Sequence, residues 1–133
     1  IAAIKEASGN MEQIEEAIRL SEGKAVVYSG DDGITVPVMA MGGMGVISVA
    51  SNAAPRFTAE MTSAFLAGDL KKAAKMQLDM LPFVRALFSE VNPIPVKKAM
   101  QLRGLCNGLL RLPLTEMTAE NAAKLEKLLP SFI

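Results

Sequence analysis

The sequence lacks histidine and tryptophan altogether and contains one cysteine among 133 residues. Without histidine, the chain has neither a histidine-ligated zinc site nor a Ser-His-Asp triad. A single cysteine excludes a disulfide within the chain and is typical of proteins from a reducing cytoplasm. The 14 basic and 14 acidic side chains cancel, so there is no electrostatic case for a nucleic-acid partner. We therefore expect a cytoplasmic protein that does not bind nucleic acid.

Apolar residues, by contrast, are abundant. Half of the chain is hydrophobic and the mean hydropathy is +0.28, which is too apolar for a disordered protein. The length suffices for one domain with a substantial core. The chain begins at Ile1, without an initiator methionine and already inside an apolar run, so we expect an upstream half of the protein to precede it. No basic flank leads into a long apolar core, and no signal peptide is predicted.

Residues 33–55 contain no charged side chain and are long enough to cross a bilayer. Pro37 and the three glycines of the sequence GGMG at positions 42–45 interrupt this segment, and such residues are unfavourable in one continuous helix. We interpret the segment as a short helix followed by a buried strand over residues 46–50. We therefore expect no membrane association.

Short apolar runs alternate with helical patterns over the first half of the chain. The runs at residues 1–7, 25–29 and 46–50 predict three buried strands, which helical crossovers make parallel. We predict an α/β fold, with strand–helix units over residues 1–68 and a C-terminal helical extension over residues 69–133. Asn10, with Gln13 as the return half of a capping box, Thr58 and Asp69 are predicted to cap helices. Three parallel strands leave two unpaired edges, which is typical of part of a larger sheet or barrel.

Lys5 lies near the end of the first predicted strand, where parallel-sheet proteins place their ligands. A lysine amine shielded from water there loses part of its preference for the ammonium form, and the neutral amine can attack a carbonyl carbon. The alternative is a lysine that reaches solvent at the strand end and is neutralised by Glu6. Position alone leaves both interpretations open.

The carboxyl ends of parallel strands lie at one edge of a sheet, so we expect Lys5, Gly30 and the end of the third strand to converge. A glycine at position 30 allows backbone groups to approach a small ligand. Asp31 and Asp32 fit either a helix N-terminus or a site for a cation or polar substrate. Tyr28 lies within a buried strand and is predicted to pack there.

Four segments of the chain resemble one known family in their order and spacing. They are residues 4–10 (IKEASGN), 29–32 (SGDD), 42–49 (GGMGVISV) and 92–97 (NPIPVK). The chain is thereby similar to the pyruvate-dependent class I aldolases, a family that includes dihydrodipicolinate synthase and N-acetylneuraminate lyase. The first segment resembles the Schiff-base lysine signature of the synthase branch. The resemblance extends over essentially the whole chain.

This resemblance implies a (β/α)8 TIM barrel, of which the chain would hold about strands 6–8, their helices and a C-terminal helical extension. It implies that Lys5 forms an imine with pyruvate, and that the derived enamine attacks aspartate β-semialdehyde to give 4-hydroxy-tetrahydrodipicolinate for lysine biosynthesis. Ile47 would contact the bound pyruvate, and Gly30 would line the same pocket. The imine is itself an electron sink, so we expect neither a cofactor nor a metal.

Several functional groups of the family have no counterpart in this chain. They are the proton-relay tyrosines, the threonines that bind the pyruvate carboxylate and the arginine that binds the second substrate; Tyr28 does not match the relay tyrosine. We therefore expect the chain alone to be inactive and to require the missing N-terminal half of the barrel, in a homodimer or homotetramer. Two other interpretations remain, another pyruvate or keto-acid aldolase of the same family and a non-catalytic half-barrel that acts as an assembly partner.

Overall fold

The computed structural model describes residues 1–132. Over these residues the strands are β1 (Ala3–Glu6) and β2 (Val26–Ser29). The helices are α1 (Met11–Ser21), α2 (Thr35–Ala40), α3 (Ala50–Ala53), α4 (Pro55–Leu66), α5 (Leu70–Leu87), α6 (Ile94–Leu102) and α7 (Ala119–Leu128). Two 3-10 helices, Asp32–Ile34 and Leu129–Phe132, precede α2 and follow α7. The chain is thus an α/β unit followed by a helical C-terminal region.

The sheet is parallel, as predicted. Strands β1 and β2 pair in the register that places Lys5 opposite Tyr28. A third segment joins the sheet only at Val46, which forms a single parallel bridge with Ser29. Among the described residues the sheet therefore consists of two strands and one bridge, where three strands were predicted.

The predicted third strand, residues 46–50, is wrong beyond Val46. The backbone amides of Val49 and Ala50 donate to the carboxylate of Asp32, at 2.9 and 3.1 Å, and not to a neighbouring strand. Ala50 is already the first residue of α3. The buried carboxylate of Asp32 thus favours the start of a helix where a strand was predicted. Hydrophobic patterning does not reveal an acceptor so distant in sequence.

The first predicted strand, residues 1–7, is also too long, because β1 ends at Glu6. The Glu6 carboxylate accepts the amide of Ser8 at 2.7 Å and closes a turn. Asn10 then caps α1, as predicted, by accepting the amide of Gln13 at 3.3 Å. The Asn10 amide donates to Ser8 and not to Gln13, so the return bond of the expected capping box is absent.

One of the two caps predicted for the next helices is wrong. Helix α4 begins at Pro55, whose ring suits the first turn, and Thr58 lies inside the helix with its hydroxyl donating to Ala54 at 3.0 Å. The cap at Asp69 is confirmed, because its side chain accepts the amide of Lys72 at 3.0 Å.

Helices α3 to α7 enclose the main hydrophobic core. Phe83 is fully buried and stacks on Phe132, with ring centroids 4.9 Å apart. Phe57 approaches Phe132 edge-on, with centroids 5.0 Å apart. Met61 of α4 is buried in the same cluster, so side chains from both sides of the predicted boundary after residue 68 contribute to it.

The uncharged segment, residues 33–55, does not form one long helix. It contains α2, the bridge at Val46 and α3, in line with a helix followed by a sheet segment. Within residues 1–132, no helix is both long and apolar enough to cross a membrane.

The two faces of the sheet differ in burial. Val27 and Ser29 are buried beneath the helices. Val26 and Tyr28 alternate with them and so lie on the opposite face, where Val26 is 37% exposed. Lys5 shares this second face, because residues paired in register point to the same side of a parallel sheet. The surface formed by Ala3, Lys5, Val26 and Tyr28 is termed the open face below.

Candidate active site

Lys5 is the penultimate residue of β1 and lies at the carboxyl end of the sheet. Its side chain is exposed on the open face. The ion pair with Glu6 that the sequence allows is not among the five salt bridges of residues 1–132. Glu6 points away from Lys5 along the strand, and the amide of Ser8 lowers the pKa of its carboxyl. The amine of Lys5 is therefore available to a ligand.

Gly30 lies directly beside the lysine side chain. A Cβ atom added at Gly30 would lie 3.0 Å from Cε of Lys5 and 2.5 Å from Cβ of Ala7. The Gly30 amide also donates to the Glu6 carbonyl at 2.6 Å, which extends the ladder past β2. The absence of a side chain at position 30 is thus what gives Lys5 its path across the strand ends.

Ile47 follows the bridge between Val46 and Ser29, and its amide donates to the Ser29 carbonyl at 2.8 Å. Because Val46 shares the helix-covered side with Ser29, Ile47 lies on the side of the open face. Its side chain is 47% exposed. The structure therefore brings Lys5, Gly30 and Ile47 to the same edge of the sheet, where the sequence predicted that Lys5, Gly30 and the end of the third strand converge.

The two aspartates after β2 are caps. The side chain of Asp31 accepts the amide of Gly33 at 2.7 Å at the start of the 3-10 helix. Asp32 is buried and accepts from the Ser48 hydroxyl and from two amides at the N-terminus of α3. Of the two alternatives that the sequence left open, the helix-terminus role is the one observed.

Gln77 is a residue that the sequence did not single out. It is 5% exposed on α5, and its Nε2 atom donates to the Asp32 carbonyl at 2.9 Å. Its Oε1 atom accepts the Val36 amide, also at 2.9 Å. Gln77 thereby ties the loop after β2 to the C-terminal helical region. A glutamine within the buried periodicity of α5 is the signal that could have identified it.

Tyr28 was expected to pack within a buried strand, but it is only half-buried and lies on the open face. A Cβ atom added at Gly45 would lie 3.5 Å from its ring. Cys106 is half-buried in the segment between α6 and α7, with Sγ 3.7 Å from the Lys97 carbonyl. It therefore takes no part in the arrangement around Lys5.

Parallel strands joined by a helix define an α/β protein, and its lysine and glycine meet at the edge of the sheet where such proteins commonly bind ligands. The chain belongs to the dihydrodipicolinate synthetase family, whose family model matches residues 1–131. The family resemblance of the four sequence segments is confirmed.

Curated relatives agree with this assignment. The chain is 54% identical over 122 residues to a 4-hydroxy-tetrahydrodipicolinate synthase of Lachnoclostridium phytofermentans, covering 92% of this chain and 42% of that protein. It is 48% identical over 131 residues to a protein of the same name from Archaeoglobus fulgidus, covering 98% of this chain and 45% of that protein. The chain therefore spans less than half the length of these relatives.

Solved structures show the same relationship. A dihydrodipicolinate synthase from Aquifex aeolicus superposes with a TM-score of 0.93 at 43% identity, covering 99% of this chain and 45% of that one. A chloride-inhibited dihydrodipicolinate synthase from Acinetobacter baumannii, complexed with pyruvate, gives a TM-score of 0.93 at 35% identity. That comparison covers 100% of this chain and 46% of the other.

Proposed function

We propose that this chain supplies the imine-forming lysine of a 4-hydroxy-tetrahydrodipicolinate synthase. The observation that carries the proposal is the position of Lys5, exposed at the carboxyl end of β1 beside a glycine. Membership of the family supports the reaction class, and the pyruvate complex of a similar protein supports the substrate.

The proposed chemistry starts at the amine of Lys5. The neutral amine attacks the carbonyl carbon of pyruvate, and loss of water leaves an imine. Removal of a proton from the pyruvate methyl group gives an enamine, whose terminal carbon attacks the aldehyde carbon of aspartate β-semialdehyde. The amino group of the acceptor then displaces Lys5 as the ring closes, giving 4-hydroxy-tetrahydrodipicolinate for lysine biosynthesis. The protonated imine accepts the electrons, so the scheme calls for no metal or cofactor.

Gly30 and Ile47 are proposed to form the wall of the pyruvate pocket. Gly30 leaves room beside Cε of Lys5, so the amine can reach a ligand lying at the strand ends. Ile47 presents a half-exposed apolar side chain at the same edge. An apolar surface at this position suits the methyl group of pyruvate and excludes water from the enamine carbon.

We propose further that the chain corresponds to strands 6–8 of a (β/α)8 barrel, with Val46 marking the last of them. The open face supports this, because its residue Val26 is 37% exposed and needs a cover. The remaining strands would close the barrel over Lys5 and supply the proton relay and the carboxylate site. The chain alone is then inactive. The complete enzyme is proposed to act in the cytoplasm as a homodimer or homotetramer.

Reductive trapping tests the proposal. Pyruvate and borohydride are added to protein that contains the complete barrel, and the site of labelling is read by peptide mass spectrometry. We expect a three-carbon adduct on Lys5, because borohydride reduces the imine to a stable secondary amine. Lys5→Arg retains the charge but cannot form the imine, and we expect it to abolish labelling.

Lys24→Arg is the matched control. Lys24 is an exposed lysine that pairs with Glu22 at 2.6 Å, remote from the strand ends. This variant should label at Lys5 as the parent protein does. Labelling at another lysine, or none in the parent protein, would overturn the assignment.

The choice of acceptor is tested separately. Turnover with aspartate β-semialdehyde, and its absence with sugar-acid aldehydes, is the expected result. The reverse preference would indicate another pyruvate or keto-acid aldolase of the family. If the protein binds its assembly partners but neither forms the adduct with pyruvate nor turns over either aldehyde, the chain would instead be the non-catalytic half-barrel that acts as an assembly partner.

A further inference from the structure

The carboxylate of Asp32 is buried, with the residue 1% exposed. One oxygen accepts from the hydroxyl of Ser48, and the other accepts the amides of Val49 and Ala50 at 2.9 and 3.1 Å. No salt bridge within residues 1–132 involves Asp32. Three hydrogen bonds from one short segment therefore compensate its burial.

These bonds lie immediately after Ile47. Towards the N-terminus, Ile47 follows the bridge between Val46 and Ser29, and its own amide donates to the Ser29 carbonyl at 2.8 Å. The ladder stops there, and the Ile47 side chain, 47% exposed, has little packing of its own. Ile47 thus lies between two attachments of the chain, its own amide bond to Ser29 and the bonds of the following residues, 48–50, to Asp32.

We propose that Asp32 is a positioning residue that holds Ile47 against the substrate bound to Lys5. Asp32 does so by fixing residues 48–50, and Gln77 fixes Asp32 in turn through its backbone carbonyl at 2.9 Å. The inference rests on the proposed function, because the group that Asp32 positions, Ile47, is there proposed to form the wall of the pyruvate pocket. Asp32 does not touch the substrate in this account.

A charged ligand role for Asp32 is the rival explanation. The geometry opposes it, because both carboxylate oxygens are directed at groups of the chain itself. The neutral amide of asparagine distinguishes the two roles. Its oxygen can accept the amides of Val49 and Ala50, and its NH2 group can donate to the Ser48 oxygen once the hydroxyl rotates. Asparagine therefore preserves the positioning contacts but removes the charge.

The experiment uses the complete barrel containing this chain and compares Asp32→Ala with Asp32→Asn. We expect the alanine variant to raise the KM for pyruvate by about tenfold or more, because a wall displaced by a fraction of an ångström no longer fits the substrate. The asparagine variant should stay within about threefold of the parent, as a conservative rescue of the same hydrogen bonds.

Asp69→Ala is the matched control, since it also removes a carboxylate that caps a helix. Asp69 is exposed and caps α5 through the amide of Lys72. It should lower the Tm and leave the KM for pyruvate unchanged. An unchanged KM in Asp32→Ala would overturn the proposal, and so would an asparagine variant as impaired as the alanine variant.

Two further measurements keep the outcome decisive. If Asp32→Ala does not fold, Ser48→Ala removes one of the three bonds and should still raise the KM severalfold; an unchanged KM would count against positioning.

If pyruvate and borohydride fail to label Lys5 in the parent protein, the proposed function fails on its own. Amide exchange at Val49 and Ala50 then tests the inference, because Asp32→Ala should accelerate it at least about tenfold. Unchanged exchange would overturn it.

Discussion

Lys5 passes so close to Gly30 that a Cβ atom at position 30 would lie 3.0 Å from the lysine Cε atom. The glycine and the lysine side chain therefore act together in space, although their positions are 25 apart in the sequence. This relationship links a backbone property of the loop after β2 to the reactivity of a side chain on β1.

Gly30→Ala is expected to slow reductive trapping of pyruvate at Lys5 by about tenfold or more, because the added methyl group displaces the amine from its path. The same methyl group would also lie 2.5 Å from Cβ of Ala7 and lower stability. The double variant Gly30→Ala/Ala7→Gly separates the two effects. It should recover much of the Tm while trapping stays slow, and recovery of both together would contradict the steric account of Lys5.

Gln77→Leu is expected to destabilise the protein by about 1–3 kcal/mol, because it leaves the Val36 amide and the Asp32 carbonyl without their buried partner. Urea unfolding of the protein measures this directly. Gln101→Leu is the matched control, since Gln101 is exposed on α6 and water can replace its bonds. The control should change stability by no more than about 0.5 kcal/mol. Equal effects would show that the bridge from α5 is dispensable.

Glu90 holds the start of α7. Its Oε1 atom accepts from Asn121 at 2.8 Å and from the hydroxyl and amide of Thr118 at 2.7 and 3.1 Å. These bonds, that from Asn121 first, lower the pKa of Glu90 below its ordinary 4.5. A carboxyl with a lowered pKa in the folded state stabilises above its ordinary value and loses that contribution as the pH falls through the lowered one.

The corresponding prediction concerns the Tm of Glu90→Gln. The parent protein should have the higher Tm at neutral pH, and the difference should shrink as the pH falls from about 5 towards 3. Glu126→Gln, at an exposed position on α7 itself, is the matched control and should change the Tm at neutral pH much less than Glu90→Gln does. A gap for Glu90→Gln that persists at acidic pH would mean that its charge does not hold α7.

Phe83→Ala is expected to lower the free energy of unfolding by about 3–5 kcal/mol, because it opens a cavity where the ring stacks on Phe132. Phe88→Ala, at the residue directly after α5 and 45% exposed, should have a much smaller effect. Chemical denaturation of both variants compares them. Similar losses would place the centre of the core elsewhere.

Local signals predicted much of the fold. The cap at Asn10 and the cap at Asp69 depend on bonds within three residues, which the sequence displays directly. The approach of Lys5 to Gly30 followed from the rule that parallel strands present their carboxyl ends at one edge. The pairing of Lys5 with Tyr28 in register confirms that the strands are parallel.

The errors arose where a distant group decides the local structure. The predicted strand over residues 46–50 gives way to α3 because Asp32 accepts the amides at the start of this helix. Asp32 lies 17 positions before Val49 in the chain. The partnership of Gln77 with Asp32 spans 45 positions. Hydrophobic periodicity reports which face of an element is buried, and it carries no information about which buried polar groups meet.

The main core cluster has a consequence for how the molecule opens. Among residues 1–132 it draws on α3 to α7 and their flanks and contains no side chain of β1 or β2. Solvent can therefore reach the strand ends through partial opening events while the helices stay folded. Unfolding of helices α3 to α7 and local opening of the strand ends around Lys5 therefore have separate free energies. Whatever covers the open face can tune the second with little effect on the first.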